Sequence, residues 1–101
     1  MANDKILSMI GLATKAGKIV SGEFSTEQSV KRGRALMVII SSDASENTKK
    51  KFTNMCSFYK VPLYFYGTRE SLGRAAGKEF RVSLALQDEG FSKAIQKLID
   101  P

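Results

Sequence analysis

The chain has no histidine and one cysteine, Cys56. Histidine is the commonest general base and metal ligand near neutral pH. Without it, hydrolase and metalloenzyme chemistry lose their usual groups, and neither catalysis, a metal nor a cofactor is expected. A lone cysteine forms no internal disulfide, which fits a reducing cytoplasm. No apolar run approaches the roughly 18 residues needed to span a membrane. The opening residues, Met1 to Lys15, lack a basic lead followed by a long apolar stretch and a cleavage site, so no secretory leader is expected. Repeats and low-complexity linkers are also missing.

What remains is ordinary globular material. The 101 residues are 43% hydrophobic and 26% charged, enough for one domain over 1–101 with its own core. Sixteen Lys/Arg against ten Asp/Glu give a net charge of +6. The excess is uneven. Residues 1–81 hold fourteen Lys/Arg against seven Asp/Glu, whereas 82–101 hold two against three. A basic body suits phosphate neutralisation, although solubility alone accounts for such a charge in many small proteins.

Periodicity predicts alternating helices and strands. Ile6, Leu7, Ile10 and Ala13 share a helical stripe that Gly17 ends. Ile19-Val20 reads as a short strand broken by Gly22. A second helix is expected from Ser25, because Ser25 and Gln28 have capping-box spacing; Thr26, Ser29 and Val30 form its inner stripe and Gly33 closes it. Residues 35–40 are continuously apolar, as in a strand covered on both faces. Asp43 and Glu46 suggest a third capped helix with Thr48, Phe52, Met55, Cys56 and Tyr59 on its inner stripe. On that helix Lys49, Lys50 and Lys51 are expected to form a solvated face. A strand over 61–66, a short helix over 69–76 capped by Thr68, a strand over 82–86 and a last helix burying Phe91, Ala94, Ile95 and Leu98 complete the order. The expected fold is a three-layer α/β/α sandwich with a four-stranded mixed sheet and about five helices.

Some apparent motifs dissolve. Gly11 to Lys18 has five residues between its glycines, ends in Ile19 rather than Ser or Thr, and lies at a helix end, so it is no P-loop. Cys56 sits on a buried stripe and reads as a packed thiol.

The ordered set Leu12-Ala13, Gly17-Lys18, Gly22 and Lys31-Arg32-Gly33 leading into an apolar strand resembles the ribosomal protein L-seven-Ae superfamily. Leu72-Gly73-Arg74-Ala75-Ala76-Gly77-Lys78-Glu79-Phe80-Arg81-Val82 is similar to its L-thirty-e branch. The segments Ser42 to Thr48 and Asp88 to Phe91 look most like small bacterial members. The resemblance covers about residues 6–88. It implies a cytoplasmic RNA binder, with the ribosome as a further partner, that grips a kink-turn, a stem bent at tandem G·A pairs. No membrane or small-molecule substrate is implied.

Two segments carry that expectation. At the first, Gly22 allows close backbone approach, and a helix start offers free N–H groups to phosphate. Ser25, Gln28 and Arg32 follow, with Lys15 and Lys18 expected beside them. Where typical kink-turn binders carry Asn-Glu and Lys, this chain has Phe24-Ser25 and Gln28. Phe24 is open to two readings: base stacking, or a hydrophobic staple before the helix. At the second segment Lys78, Phe80, Arg81 and Val82 join helix to strand, with Phe80 and Val82 at positions that touch extruded bases in the L-thirty-e branch. Val82 equally reads as the core-facing start of a strand. Asp43 and Glu70 are expected as caps or first-turn acids. A protein-interaction module on the same fold is the alternative, kept open by the missing Asn-Glu pair.

Overall fold

The computed structural model describes residues 4–101. In chain order the elements are α1 (Lys5–Lys15), β1 (Ile19–Ser21), α2 (Glu23–Lys31), β2 (Met37–Ile40), α3 (Glu46–Tyr59), β3 (Leu63–Phe65), α4 (Arg69–Ala75), β4 (Ser83–Leu86) and α5 (Glu89–Ile99). The sheet runs β1-β4-β2-β3. β4 is antiparallel to both neighbours, with Val20 opposite Ala85 and Val38 opposite Ala85, while β2 and β3 are parallel. The expected mixed four-stranded sheet between helical layers is what the chain forms.

Alternation along the strands sorts the core into two halves. Met37, Ile39, Leu84 and Leu86 face α1, α4 and α5 and pack on Ile10, Leu72 and Ile95. Val38, Ile40 and Ala85 face α2 and α3 and pack on Val30, Phe52 and Cys56. The two central strands, β2 and β4, are buried along their whole length. Full burial of a large aliphatic chain contributes roughly 1.5–3 kcal/mol, opposed by chain entropy. No helix among the described residues is long and apolar enough to cross a membrane.

Several boundaries differ from expectation. α2 begins at Glu23, so Ser25 lies in its first turn and does not cap it. Gly22 both ends β1, donating its N–H to the Ser83 carbonyl, and accepts the first helical bond from Thr26. The helix therefore starts as soon as the strand stops. α3 is capped by Ser45 rather than Asp43. Asp43 is occupied elsewhere: its carboxylate accepts from the Arg69 N–H at 3.1 Å, at the start of α4. On α5, Ser92 is buried while Leu98 is 37% exposed, a one-position rotation of the expected stripe. Lys51 does not join a solvated face but turns to α2.

Candidate nucleic-acid interface

The start of α2 differs from every other helix start. Asp4, Ser45, Thr68 and Asp88 each cap their helices with a side-chain oxygen, whereas Gly22 has none to offer. Its backbone sits at φ 97°, ψ 156°, a region essentially reserved for glycine. The N–H groups of Glu23, Phe24 and Ser25 find no acceptor among the described residues. They sit at the positive end of the helix, available to an anion.

Helical spacing then divides α2 into two chemically different faces. Glu23, Glu27 and Lys31 fall at i, i+4 and i+8, facing α3. Lys51 reaches both carboxylates there at 2.9 Å, and Lys31 bonds Glu27 at 2.8 Å. The hydrogen bond from Lys31, then that from Lys51, holds the Glu27 carboxyl down at about 2. Phe24, Gln28 and Arg32 follow the same spacing one residue on, turned by roughly 100° around the helix. They line a groove of about 250 Å³ with Val20, Ser29, Arg34 and Gln87, and no carboxylate borders it. The acids of α2 are thus tied to Lys51, away from the groove.

Residues 77–82 form the second segment, bound to α4 through backbone. Lys78 N–H donates to the Gly73 carbonyl at 2.7 Å and Arg81 N–H to the Arg69 carbonyl at 3.0 Å. Gly73 permits this contact: a Cβ there lies only 2.6 Å from the Glu79 carbonyl oxygen. The bend pushes Phe80 outward, 48% exposed. Arg81 folds the other way. Its Nε donates to Ser21 Oγ and one terminal nitrogen to the Phe80 carbonyl, each at 2.9 Å. The guanidinium lies across Gly22, with Nε 3.7 Å from where a Cβ would project.

The two expected segments therefore meet at one end of β1. Arg81 joins them. Phe24 is 75% exposed and is the second residue of α2, so the staple reading, which needs a residue before the cap, does not hold. Val82 is half-buried against the α2–α3 core. Lys15 and Lys18 lie at the other end of β1 from Gly22 and so do not join the clamp there; the Lys18 carbonyl accepts from the N–H of Gln87, a residue that lines the groove. Arg34 and Gln87 were not foreseen. Arg34 is signalled only by being a cation directly after the Gly33 turn, and Gln87, 53 positions further on, by nothing local. Ion pairs among the described residues use Lys31, Lys49, Lys51, Arg69 and Lys93. Lys15, Lys18, Arg32, Arg34, Lys78 and Arg81 form none of them.

Comparison with known proteins places the chain in a family. The sequence pattern described as the ribosomal protein L7Ae/L30e/S12e/Gadd45 family matches residues 4–96. "RNA-binding protein YlxQ" of Bacillus subtilis is 44% identical, covering 91% of this chain and 92% of its own length. "Large ribosomal subunit protein eL30" of Trypanosoma brucei brucei is 33% identical, covering 88% and 87% respectively. Among solved structures, a Bacillus halodurans protein of unknown function superposes with a TM-score of 0.92 at 42% identity, covering 96% of this chain and 98% of that one. A Giardia lamblia 15.5kD RNA binding protein shares the fold at a TM-score of 0.79 and 21% identity, with 98% of this chain and 88% of that one covered.

Proposed function

Because the chain belongs to the ribosomal protein L7Ae/L30e/S12e/Gadd45 family, we propose that it is a ribosome-associated RNA-binding protein that grips a bent stem of the kink-turn type in the cytoplasm. One observation carries this reading beyond its relatives' names. Arg81 lies across Gly22 and fastens an exposed aromatic tip to an uncapped helix start.

Each part has a task on RNA. The free N–H groups of residues 23–25 take a phosphate. Phe80 stacks on a base extruded at the bend, a contact worth roughly 1–3 kcal/mol that tolerates any base. Lys78 and the guanidinium of Arg81 neutralise the backbone at the kink, and Arg32 does so two turns along α2. Phe24 and Ser25 supply no guanine-accepting carboxylate, so recognition here leans on stacking, phosphate contact and bend. The protein acts by binding alone. Its one thiol, Cys56, is buried, and that burial pushes its pKa up to about 11.

A gel-shift comparison tests the proposal with three RNAs: a kink-turn, the same RNA with its G·A pairs replaced, and a straight duplex. Affinity is expected to fall in that order and to drop steeply with added salt. Equal affinity for all three leaves only non-specific electrostatic attachment. A salt-tolerant protein partner that survives nuclease treatment points instead to an interaction module.

A further inference from the structure

The C-terminal end of α3 breaks two habits that the other helices keep. α1, α2, α4 and α5 each carry a Lys or Arg in the last turn, where it offsets the partial negative charge of the helix end. α3 carries none, and Phe58 and Tyr59 stand there instead. The second habit concerns the closing turn. At α1, α2, α3 and α4 the N–H groups of Lys18, Arg34, Val61 and Lys78 each donate to a carbonyl five residues back. In three of these turns the preceding residue is a glycine of positive φ, namely Gly17, Gly33 and Gly77. At α3 it is Lys60, at φ 59°, ψ 46°, the one non-glycine of positive φ among the described residues. A residue with a Cβ is disfavoured in that conformation. Local rules broken in this way gather at functional sites.

The two departures together build an exposed aromatic corner. Phe58 is 78% exposed and Tyr59 41%, with ring centroids 4.9 Å apart and planes at 79°. We propose that this corner docks an acidic segment of a partner protein. One apolar side chain of that segment fills the corner, and a neighbouring carboxylate pairs with Lys60.

Charge sets the sign of the partner. Residues 47–69 hold five Lys/Arg and no Asp or Glu. Lys49, Lys51 and Arg69 are engaged by Glu46, by Glu23 and Glu27, and by Asp43. Lys60 forms no ion pair among the described residues. Shape favours a protein over RNA. A base stacks on an open ring face, whereas two nearly perpendicular rings leave a notch suited to a rounded side chain. Exposed Phe and Tyr are also enriched where proteins meet.

Position keeps this surface apart from the clamp. Val38 lies opposite Leu63 and donates its N–H to the Pro62 carbonyl, so α3 ends where β2 begins. The clamp lies where β2 ends, with Ile40 opposite Ser83 and Gly22 bonded to Ser83. A partner docked on the corner leaves the clamp open, whether or not RNA fills it.

The test is an NMR titration of the whole, isotope-labelled protein without RNA. The probes are the peptide Glu-Asp-Leu-Phe-Asp-Glu, its counterpart with every acid replaced by Lys, and a short oligouridine. The acidic peptide is expected to shift the amide signals of residues 57–62 and to bind about tenfold more tightly than the basic one, a difference of 1.4 kcal/mol. Phe58→Ala should weaken the acidic peptide about tenfold, as the loss of an aromatic anchor does. Lys60→Gly should weaken it about threefold without lowering the thermal midpoint, because glycine is at ease in this conformation. Binding lost while stability is kept separates docking from a purely structural role. The inference is overturned if no probe moves residues 57–62, if the shifts spread evenly over Lys15, Arg32 and Lys78, or if both variants bind as wild type does. It is equally overturned if the basic peptide binds as well, or if oligouridine alone moves these signals, which would assign the corner to RNA.

Discussion

The loop over residues 77–82 and the first turn of α2 touch through Arg81, yet they are held in unlike ways. The loop is fastened by backbone: three main-chain hydrogen bonds to α4, from Gly77, Lys78 and Arg81, and a close approach that only a glycine at 73 allows. α2 is held by Gly22's conformation, by its buried stripe of Thr26, Ser29 and Val30 and, on the side facing α3, by ion pairs with Lys51. Main-chain contacts between neutral groups respond little to salt and pH, whereas exposed ion pairs respond to both. The fastening of the aromatic half should therefore respond little to salt and pH, whereas the Lys51 pairs beside the helical half should respond to both.

Gly73→Ala attacks the rigid half and should have the largest effect. The new methyl meets backbone atoms of Glu79 and Phe80, and such overpacking costs about 1–3 kcal/mol of stability. Because it displaces the loop that carries Phe80, RNA affinity should fall as well, measured by urea unfolding and gel shift on the same sample. Unchanged stability would show that the loop moves freely, and the comparison would fail.

Phe80→Ala leaves the loop's backbone in place and removes only the ring. Affinity for the kink-turn RNA should weaken by roughly 1–3 kcal/mol, while stability stays within about 0.5 kcal/mol of wild type, as for other exposed positions. A large stability loss with intact RNA affinity would mean that the ring serves the fold.

Arg32→Ala probes the helical half. Binding should weaken about equally for every RNA, and the slope of log affinity against log salt should fall by about 0.9, the value for one phosphate contact on a duplex. An unaltered slope would take Arg32 off the RNA.

Lys51→Ala should have the smallest effect, at most about 1 kcal/mol, because the pairs it makes are partly exposed. The pH dependence identifies its origin. Folding lowers the Glu27 pKa from 4.5 to about 2, so the stabilisation is present above pH 4.5 and is lost as the pH falls toward 2. Wild type and variant should differ at pH 7 and converge near pH 2 in thermal unfolding. A difference that persists in acid would assign the effect to packing.

Much of this molecule was legible in advance, for reasons visible in individual residues. The stripe Thr26, Ser29, Val30 is buried as its spacing predicts, and Thr68 caps α4 as expected. Ser25 and Asp43 show the limit. A capping-box pattern needs only a short polar residue and a Glu or Gln three positions on, and such pairs recur along any polar stretch. Which one is used depends on partners elsewhere: Gly22 bonds to Ser83, and Asp43 to Arg69.

The sequence by itself determined the excess of positive charge, which is a matter of composition, and the number and order of helices and strands and most of the faces they bury, because those patterns repeat with local periods of two and 3.6 residues. Only the tertiary structure decided that β4 returns beside β1. That pairing brings Arg81 across Gly22 and Gln87 against Ser29, side chains about 60 positions apart that no local period relates. The clamp and its groove exist because strand order, a property of the whole sheet, places them together.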